Sequence, residues 1–527
     1  MSDPRDSTSH PVEESLWRHG RPPFQSDQLP VGERAGVVIV GAGLTGLVTA
    51  CLLARTGHDV IVVDAHEPGA LTTGGSTGKV SLLQGATLSA IADHHPEEVV
   101  RAYVAANEAG QRWLHDFLVI NGVRFDERPA VSYAGSAESV ARLEREFALG
   151  RSAGLSLERT RDTELPWQVE IALRLDGQLH VNTMSLIDAL VDEVRAHGVR
   201  VVGGCTATAA SAASGGLRVR TSHGDIMADR VIAATGTPFL SRGGHFARME
   251  AKRSSLAAFR VPGEPMQGMY LSLDEPRRSL LSTTLAPAHS AGEDRLLLVG
   301  GAASIVGRAR TLSERPDEVD AWTTARFPGA TLLRRWWAQD YSTLDDAPYV
   351  GPLRPGERRI LVATGFGKWG LANAAAAGLA LTALVNGKGL AWAHTLYRRR
   401  GWPAPNVAQM LHTNAAVVAE MARGATRLLG GENEAAGAKD DARVELDGVK
   451  SVAHCTVGGV THRVSAVCPH LGGIIAWNAE ESTWDCPLHG SRFAPDGTRI
   501  EGPARNGLGA VDAGPRHVAT PPAAPEA

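Results

Sequence analysis

The sequence has no uninterrupted apolar run of about 18 residues, the length that a transmembrane helix needs. Its N-terminal stretch, MSDPRDSTSHPVEESLWRHGRPP, is polar and lacks the apolar core of a secretory signal peptide. The formal net charge is only −4, with acidic and basic residues interspersed, so we expect no strongly charged surface for nucleic acid or membrane. These absences predict a cytoplasmic protein that binds neither nucleic acid nor membrane.

The sequence is also poor in cysteine, with five in 527 residues, which excludes a small domain held together by disulfides. Three of the five, Cys455, Cys468 and Cys486, lie in the last fifth of the chain. The share of hydrophobic residues is 43% and that of charged residues 21%, as in globular enzymes. The length exceeds what one hydrophobic core serves, so we expect two or three domains.

Changes of composition divide the chain into five segments. Residues 1–34 form a polar lead-in, and residues 35–429 hold alternating helix and strand patterns. A polar, Gly/Ala-rich stretch at 430–442 is typical of an interdomain linker. Short strands and turns at 443–515 predict a small all-β domain. The Pro/Ala-rich tail 516–527 is expected to be disordered.

A glycine-rich turn follows the first predicted strand. Gly41, Gly43 and Gly46 stand between the strand Val37–Val40 and an apolar helix, and Asp64 closes the strand after that helix. Glycines permit a tight turn close to a pyrophosphate, the helix start offers free N–H groups, and the acid accepts hydrogen bonds from ribose hydroxyls. The pattern predicts dinucleotide binding, but it does not separate FAD from NAD. The alternative is an ordinary turn of a β-α-β unit.

Two later segments favour a flavin. Residues 228–237 (ADRVIAATGT) resemble a second flavin-domain strand that ends in an ATG turn. Residues 363–371 (ATGFGKWGL) resemble the late glycine turn that closes over the flavin in D-amino-acid-oxidase-like enzymes. A helix beginning there would direct N–H groups at the isoalloxazine carbonyls, where negative charge grows on reduction. Each segment alone is equally typical of a buried strand and turn, but their order favours FAD.

The segment 72–80 (TTGGSTGKV) lies directly after the strand that bears Asp64. In D-amino-acid-oxidase-like enzymes this part of the chain passes beneath the flavin. Lys79 is therefore our candidate catalytic residue, facing either the flavin N5 or a substrate carboxylate. The alternative is a solvated loop lysine.

A second site is predicted near the C-terminus. Cys468-Pro-His470 is followed, after the segment 471–485, by Cys486-Pro-Leu-His489. In a Rieske [2Fe–2S] cluster two Cys thiolates bind one iron and two His imidazoles bind the other. Each of the two segments here supplies one Cys and one His. Two Cys and two His also suit a zinc ion. The surrounding residues, CPHLGG and WDCPLHGSRFAPDGTRIEGPA, closely resemble Rieske proteins, including Ser491, whose hydroxyl would hydrogen-bond a cluster sulfur.

The cluster loops depart from one Rieske pattern. High-potential Rieske proteins carry one further cysteine in each loop, and the two form a disulfide. Gly473 and Leu488 stand at those positions here. Because both cysteines are missing together, we predict a reduction potential toward the lower part of the Rieske range.

With both sites in view, the sequence is similar to D-amino-acid-oxidase-like FAD oxidoreductases that carry a C-terminal Rieske domain. The likeness begins at Ser15-Leu-Trp17 and includes Trp337-Ala-Gln-Asp-Tyr341 and Asp346-Ala-Pro-Tyr349. It implies an α/β, Rossmann-like FAD-binding domain, an interleaved α+β substrate domain and an all-β Rieske domain at 443–515. The implied FAD-binding parts are about 35–90, 170–245 and 340–395, and the implied substrate parts are about 91–169 and 246–339.

The resemblance also implies site residues. The implied FAD contacts are Gly41, Gly43, Thr45, Gly46, Asp64, Ala65, Ser76, Thr77, Lys79, Val80, Ala207, Thr235, Gly236, Gly367, Trp369, Gly370 and Leu371. The implied cluster ligands are Cys468, His470, Cys486 and His489. The central region departs from the family, since Ser279-Leu280-Leu281 and Gly300–Ser304 lack the arginine and the acid with histidine that relatives tend to have there. This weakens the inference of an amine or amino-acid substrate.

The predicted reaction is oxidation of a small molecule, most simply at a C–H bond next to nitrogen, by hydride transfer to flavin N5. The Rieske cluster would then pass single electrons to an acceptor, in competition with O₂. One alternative is a reductase in which electrons enter through the cluster or NAD(P)H, although both GxGxxG patterns of the sequence, at 41–46 and 365–370, lie in the segments assigned to the flavin. Another is a non-catalytic electron-transfer module.

Overall fold

The structure is a computed structural model that describes residues 14–263, 266–284, 295–308, 315–398, 417, 419–424 and 441–511. Contacts between residues divide the chain into two units, Met1–Ala416 and Val417–Ala527. The start of the predicted lead-in (1–13), most of the predicted linker 430–442 and the predicted tail 516–527 lie outside the described residues.

The main helices and strands of the described residues are as follows, and residues 417 and 419–424 are also helical. The α-helices are α1 (Leu44–Arg55), α2 (Thr87–His94), α3 (Glu97–Ile120), α4 (Ala137–Ser152), α5 (Thr183–Ala196), α6 (Pro316–Arg326), α7 (Gly370–Val385) and α8 (Ala391–Tyr397), with 3-10 helices at Ser241–Gly243 and His245–Arg248. The strands are β1 (Arg34–Val40), β2 (Val60–Val63), β3 (Lys79–Val80), β4 (Phe125–Ala134), β5 (Glu158–Thr160), β6 (Ile171–Val181), β7 (Arg200–Val202), β8 (Ala207–Ala213), β9 (Gly216–Thr221), β10 (Gly224–Ala233), β11 (Met249–Arg260), β12 (Met269–Ser272), β13 (Ser279–Thr284), β14 (Arg295–Ile305), β15 (Thr331–Thr343), β16 (Tyr349–Pro352), β17 (Ile360–Thr364), β18 (Asp441–Asp447), β19 (Lys450–Val457), β20 (Val460–Ser465), β21 (Ala476–Asn478), β22 (Thr483–Asp485), β23 (Arg492–Phe493) and β24 (Arg499–Glu501). Within this described part, no helix combines the length and the apolar character needed to cross a membrane.

The first sheet of the N-terminal unit is built around β1. Its strands run in the order β16-β17-β10-β1-β2-β7, and β8 and β9 extend it from β10. The strands β17, β10, β1, β2 and β7 are parallel. Strands β2 and β17 are buried along their whole length, which explains their continuous apolar sequences. This is the Rossmann-like sheet that the sequence predicted.

Helix α7 is packed unusually closely against its neighbours because it is rich in alanine and glycine. A Cβ on Gly110 of α3 would lie 2.3 Å from the carbonyl oxygen of Ala372. A Cβ on Gly378 would lie 2.6 Å from Cγ1 of Val48 in α1. These contacts fix α7 between α1 and α3, and its N-terminus lies at the carboxyl end of β17.

The second sheet forms the interleaved α+β part. Its order is β15-β11-β14-β13-β12-β4-β6-β3, with β5 beside β6. All of its pairings are antiparallel except that of β12 with β4. The predicted boundaries assigned β3 and β6 to the FAD-binding part, but hydrogen bonding places both in this sheet. Strand β6 pairs with β4 over most of its length, a partnership between distant segments that local sequence does not reveal.

Part of the predicted lead-in is folded against the N-terminal unit. Leu16 and Trp17 are buried, and the indole N–H of Trp17 donates to the carbonyl of Ser76 at 2.6 Å. The guanidinium of Arg18 donates to the carbonyl of Ala70 at 3.1 Å. The segment therefore supports the connection that follows β2.

Residues 443–511 of the C-terminal unit form an all-β structure, as predicted for 443–515, and residues 417 and 419–424 of the same unit are helical. It contains a three-stranded antiparallel sheet, β18-β19-β20, and a four-stranded antiparallel sheet, β21-β22-β23-β24. Strand β18 begins at Asp441, so the end of the predicted linker belongs to it. Trp484 and Phe493 are fully buried in the core. Two loops, 466–475 between β20 and β21 and 486–491 between β22 and β23, carry the predicted cluster ligands.

Candidate functional site

The glycines of the turn after β1 have different structural roles. Gly41 has φ +111°, and a Cβ there would lie 2.3 Å from the carbonyl oxygen of Ala234. A Cβ on Gly46 would lie 1.9 Å from the carbonyl oxygen of Gly41. By contrast, a Cβ on Gly43 would have a single neighbouring atom, Oγ1 of Thr73 at 3.3 Å. The protein's own packing therefore requires Gly41 and Gly46, whereas the space beside Gly43 fits an approaching pyrophosphate.

The start of helix α1 offers its backbone to a ligand. Gly43 is the N-cap residue and has no side chain with which to cap the helix. The first turn, which includes Thr45, carries no acidic residue, and the N–H of Leu44 donates to Oγ1 of Thr73 at 3.3 Å. A helix N-terminus that begins at a glycine and has no acidic residue in its first turn suits a negatively charged phosphate.

Asp64 joins the glycine turn to the segment after β2. Its carboxylate accepts hydrogen bonds from the N–H of Ala42 at 2.6 Å and from that of His66 at 2.8 Å. The N–H of Cys205 donates to the Asp64 carbonyl at 2.6 Å, which brings the start of β8, and thus Ala207, to the same edge of the sheet. The acid is therefore positioned beside the glycine turn, as a ribose-binding group requires.

The turn after β10 lies next to the turn after β1. The N–H of Ala234 donates to the carbonyl of Val40 at 2.8 Å, and the hydroxyl of Thr235 donates to the carbonyl of Thr237 at 2.6 Å. Gly236 has φ +72°. Because β1 and β10 are parallel neighbours, their carboxyl ends bring the two turns together.

The late glycine turn follows β17, the next parallel strand. Gly367 and Lys368 have φ values of +53° and +71°, and Trp369 is the N-cap residue of α7 without a side-chain hydrogen bond. A Cβ on Gly370 would have no neighbouring atom within 4 Å. Open space therefore lies at the start of α7, where Leu371 is already buried.

The segment between β2 and β3 runs from the first sheet to the second. The hydroxyl of Thr72 donates to the carbonyl of Gln339 at 2.6 Å, and the N–H of Val181 donates to the carbonyl of Gly78 at 3.0 Å. The hydroxyl of Ser76 accepts from the N–H of Gly78 at 3.2 Å. The predicted contacts Ala65, Ser76, Thr77 and Val80 all lie in this connection or at its ends.

Lys79 is held by the second sheet. Its ammonium donates to the carbonyls of Tyr270 and Leu280, both at 3.0 Å, and to Oγ of Ser279 at 2.8 Å. Three acceptors match the three N–H groups of an ammonium. Burial nevertheless lowers the pKa of Lys79 to about 7. These contacts do not fit a solvated loop lysine.

A row of charged residues, which the sequence analysis did not identify, crosses three adjacent segments. Lys252 of β11 pairs in register with Asp340 of β15. An isolated bridge joins Ser342 to Phe366, and the N–H of Gly367 donates to the carbonyl of Tyr341 at 3.1 Å. This antiparallel pairing brings Asp340 opposite Lys368 in the late glycine turn.

The carboxylate at the centre of this row is electrostatically unusual. Oδ2 of Asp340 is buried and has no hydrogen-bond partner. Burial raises the pKa of Asp340, and the ammonium groups of Lys368 and Lys252 oppose that shift. Burial also lowers the pKa of Lys368. The available signals in the sequence were Asp340, an acid in the otherwise uncharged segment WAQDY, and Lys368, a lysine in TGFGKWG.

The four predicted cluster ligands form two like pairs, one of thiols and one of imidazoles. The Cys486 thiol is directed at that of Cys468, which lowers the pKa of Cys468 to about 7 and raises that of Cys486. The imidazoles of His470 and His489 have centroids 5.1 Å apart, and burial lowers the pKa of His470 to about 4. Across the residues that the structure describes, no three His, Cys, Asp or Glu side chains converge on a single metal ion. Separate thiol and imidazole pairs fit a two-iron centre better than a zinc ion.

Hydrogen-bonded turns shape the two cluster loops. The N–H of Cys468 donates to the carbonyl of Gly473 at 2.8 Å, and the N–H of Gly472 donates back to Cys468 at 3.0 Å. In the second loop, the N–H of Cys486 donates to the carbonyl of Ser491 at 2.8 Å. The Ser491 hydroxyl accepts from the N–H of Ala504 at 3.0 Å, and a hydrogen bond from Ser491 also contributes to lowering the Cys468 pKa.

The two positions without cysteine are in contact. A Cβ on Gly473 would lie 2.6 Å from Cδ1 of Leu488 and 3.2 Å from Sγ of Cys486. Leu488 is buried and occupies the space between the loops. At the positions where a disulfide would join the two loops, Leu488 therefore packs against Gly473.

Comparisons with known proteins agree with this geometry. The family model described as FAD dependent oxidoreductase (DAO) matches residues 36–384, and that of the Rieske [2Fe-2S] domain matches residues 430–515. Bacillus subtilis (strain 168) has a similar protein named as the Rieske 2Fe-2S iron-sulfur protein YhfW, 26% identical over 95% of this chain and 97% of the relative. The D-amino acid dehydrogenase of Rhizorhabdus wittichii is 26% identical over 67% of this chain and 96% of the relative.

A solved structure shows the same fold. The glycine oxidase from Geobacillus kaustophilus superposes with a TM-score of 0.58 at 19% identity, covering 70% of this chain and 100% of the oxidase. Proteins of the first family bind FAD, and a Rieske domain binds a [2Fe–2S] cluster. The chain therefore belongs to the family of FAD-dependent oxidoreductases of the D-amino-acid-oxidase type and carries a Rieske domain at its C-terminal end.

Proposed function

We propose that the protein oxidises an amine or amino acid at a C–H bond next to nitrogen, by hydride transfer to FAD. The observation that carries the FAD part of this proposal is the space beside Gly43 and Gly370, at turns that follow β1 and β17, the two parallel strands on either side of β10. The similar D-amino acid dehydrogenase and the fold shared with glycine oxidase support an amino-acid-like substrate class. FAD supplies the hydride acceptor, and the protein supplies orientation and electrostatic field.

In this proposal the backbone around Gly43 and the start of α1 bind the pyrophosphate, and Asp64 binds the ribose hydroxyls. The turns after β10 and β17 enclose the rest of the cofactor. The further contacts proposed are Gly41, Thr45, Gly46, Ala65, Ser76, Thr77, Lys79, Val80, Ala207, Thr235, Gly236, Gly367, Trp369, Gly370 and Leu371.

We further propose that the electrons leave the flavin singly through the Rieske cluster. Cys468 and Cys486 would bind one iron, and His470 and His489 the other. A flavin accepts two electrons together whereas the cluster carries one, so the cluster adapts a two-electron oxidation to a one-electron acceptor. The presence of both cofactor-binding domains in one chain supports electron transfer between them.

The test is anaerobic mixing of the FAD- and cluster-loaded protein with a panel of D-amino acids, L-amino acids and amines. We expect a subset of one chemical class to bleach the flavin absorbance, followed by the EPR signal of the reduced cluster. The same experiment with NADPH or NADH in place of the amines and amino acids tests the alternative in which the protein is a reductase. Bleaching by a nicotinamide cofactor, and by no amine or amino acid, would contradict the proposal.

A further inference from the structure

A group of four charged side chains is buried in the C-terminal unit. Arg492 is 2% exposed, and its guanidinium donates to Oε2 of Glu481 at 2.9 Å, to Oδ1 of Asp485 at 3.1 Å and to Oε1 of Glu501 at 3.0 Å. It also donates to Oγ1 of Thr483 at 3.1 Å. The three carboxylates are 3–5% exposed. One cation is thus surrounded by three acids.

This group, the Arg492 cluster, lies at the base of the second ligand loop. Asp485 directly precedes Cys486, and Arg492 directly follows Ser491. The ion pair between Asp485 and Arg492 therefore closes the loop that carries Cys486 and His489, parallel to the backbone hydrogen bond from Cys486 to Ser491. No disulfide joins this loop to the first one, because neither Cys468 nor Cys486 forms one.

A contribution to protein stability does not by itself explain why these four charged side chains are buried together. Removing several charges from water costs free energy, and apolar replacements of similar volume are often equally stable or more stable. A function that needs charge and fixed geometry explains the arrangement better. Buried carboxylates interact strongly with any charge that changes nearby, because the local dielectric constant is low.

We propose that the Arg492 cluster positions the Cys486–His489 loop and holds the reduction potential of the iron–sulfur centre low. The fork of the guanidinium fixes three carboxylates, and their negative charge disfavours an additional electron at the neighbouring centre. This inference rests on the ligand set proposed above, and it adds Arg492, Glu481, Asp485 and Glu501 as positioning residues.

Glu501→Gln is the central test. The amide keeps an oxygen that accepts from Arg492 but removes one negative charge. We expect full iron and sulfide content and an unchanged EPR line shape in the full-length protein. Titrated against the same redox dye, the reduced-to-oxidised ratio of the centre should rise by up to about tenfold, equivalent to about 59 mV for a one-electron couple.

Asp447→Asn is the matched control, because it also removes one carboxylate paired with an arginine. Asp447 accepts from Arg463 at 2.6 Å in the other sheet of the same unit, and about half of its side chain is exposed. Solvent and salt screen such a charge, so we expect no change in the dye ratio. An equal shift in both variants would overturn the proposal.

Arg492→Lys tests the positioning role. Lysine keeps the charge but lacks the planar fork that reaches three carboxylates. We expect faster loss of iron on dilution, with an unchanged far-ultraviolet circular dichroism spectrum. If Glu501→Gln and Glu481→Gln only lower the unfolding temperature and leave the dye ratio unchanged, the group is structural and the proposal is wrong. The titration uses dithionite and a dye, so its outcome is independent of whether an amine or amino acid reduces the flavin.

Discussion

The two cofactor sites depend on single residues whose neighbours the structure identifies. Gly41 and Gly46 lie against the protein's own backbone, whereas a Cβ on Gly43 would meet one side-chain atom, Oγ1 of Thr73 at 3.3 Å. Gly43 also has φ −75° and ψ −179°, which any residue adopts. A substitution at Gly43 is therefore expected to be compatible with folding but not with the pyrophosphate contact that we propose there.

We accordingly expect Gly43→Val to fold and to lose FAD. Its circular dichroism should match that of the wild-type protein, while the flavin absorbance after reconstitution and desalting should be strongly reduced. Gly46→Val is the contrasting variant, since even its Cβ would overlap the carbonyl oxygen of Gly41, and it should fail to fold. Full FAD occupancy in Gly43→Val would show that the pyrophosphate binds elsewhere.

Lys79 leads to a prediction about pH. Burial lowers its pKa from 10.5 to about 7, so between these values the unfolded chain binds more protons than the folded protein. The contribution of Lys79 to stability therefore increases as pH rises from about 7 to 10.5 and is constant below that window. Thermal unfolding of wild type and Lys79→Met from pH 6 to about 10 measures the difference. A difference between the two proteins that is independent of pH would contradict the lowered pKa.

The residue types and spacing of the sites were predictable, and their environments were not. The spacing of Cys468, His470, Cys486 and His489 predicts a mixed-ligand centre because the ligand chemistry is local. The acceptors of Lys79 come from β12 and β13, which are distant in the chain, and no local pattern identifies them. The position of Asp340 beside Lys368 likewise follows from strand pairing.

At the scale of elements, the turn between β17 and α7 is the most informative. Lys368 adopts φ +71°, which costs a non-glycine residue about 1–2 kcal/mol. Asp340 lies across from it, and the backbone N–H of Lys368 lowers the pKa of the Asp340 carboxyl. We infer that the carboxylate helps to hold the turn in the conformation required at the start of α7.

Asp340→Ala should therefore weaken FAD binding, and adding Lys368→Gly should partly restore it, because glycine adopts positive φ without strain. Asp340→Asn keeps an acceptor oxygen and should bind FAD more tightly than Asp340→Ala. The dissociation constant of FAD, measured by quenching of flavin fluorescence, distinguishes these proteins. If Asp340→Ala weakens binding equally with and without the Lys368→Gly substitution, backbone strain has no role.

The sequence predicts whether a segment forms a helix or a strand more readily than it predicts which strands pair with each other. The apolar runs of β1, β2 and β17 and the helical spacing of α3 follow from burial, so the sequence identifies them. The resemblance placed β6 within the implied FAD-binding part, and the sequence of β6 itself carries no information about its pairing with β4. The sheet that a strand joins is decided by distant segments.

At the scale of the whole molecule, the chain combines a domain that binds FAD with one that binds a one-electron carrier. This combination has a functional rationale if electrons pass between the two cofactors. We predict that a substrate that reduces the flavin also reduces the cluster within the same molecule, with a first-order rate constant independent of protein concentration. Stopped-flow absorbance with freeze-quench EPR at several protein concentrations measures that rate constant.

Cys486→Ser, which should lack the cluster, provides the complementary measurement. FAD should remain bound, since the two cofactor sites lie in separate units of the chain. Turnover with a one-electron acceptor should fall, because the two electrons of the reduced flavin then lack their one-electron carrier. Reaction with O₂ is the internal comparison, because O₂ accepts electrons from the flavin directly. If the wild-type cluster stays oxidised through many turnovers, or if acceptor turnover is the same in Cys486→Ser, the cluster takes no part in catalysis.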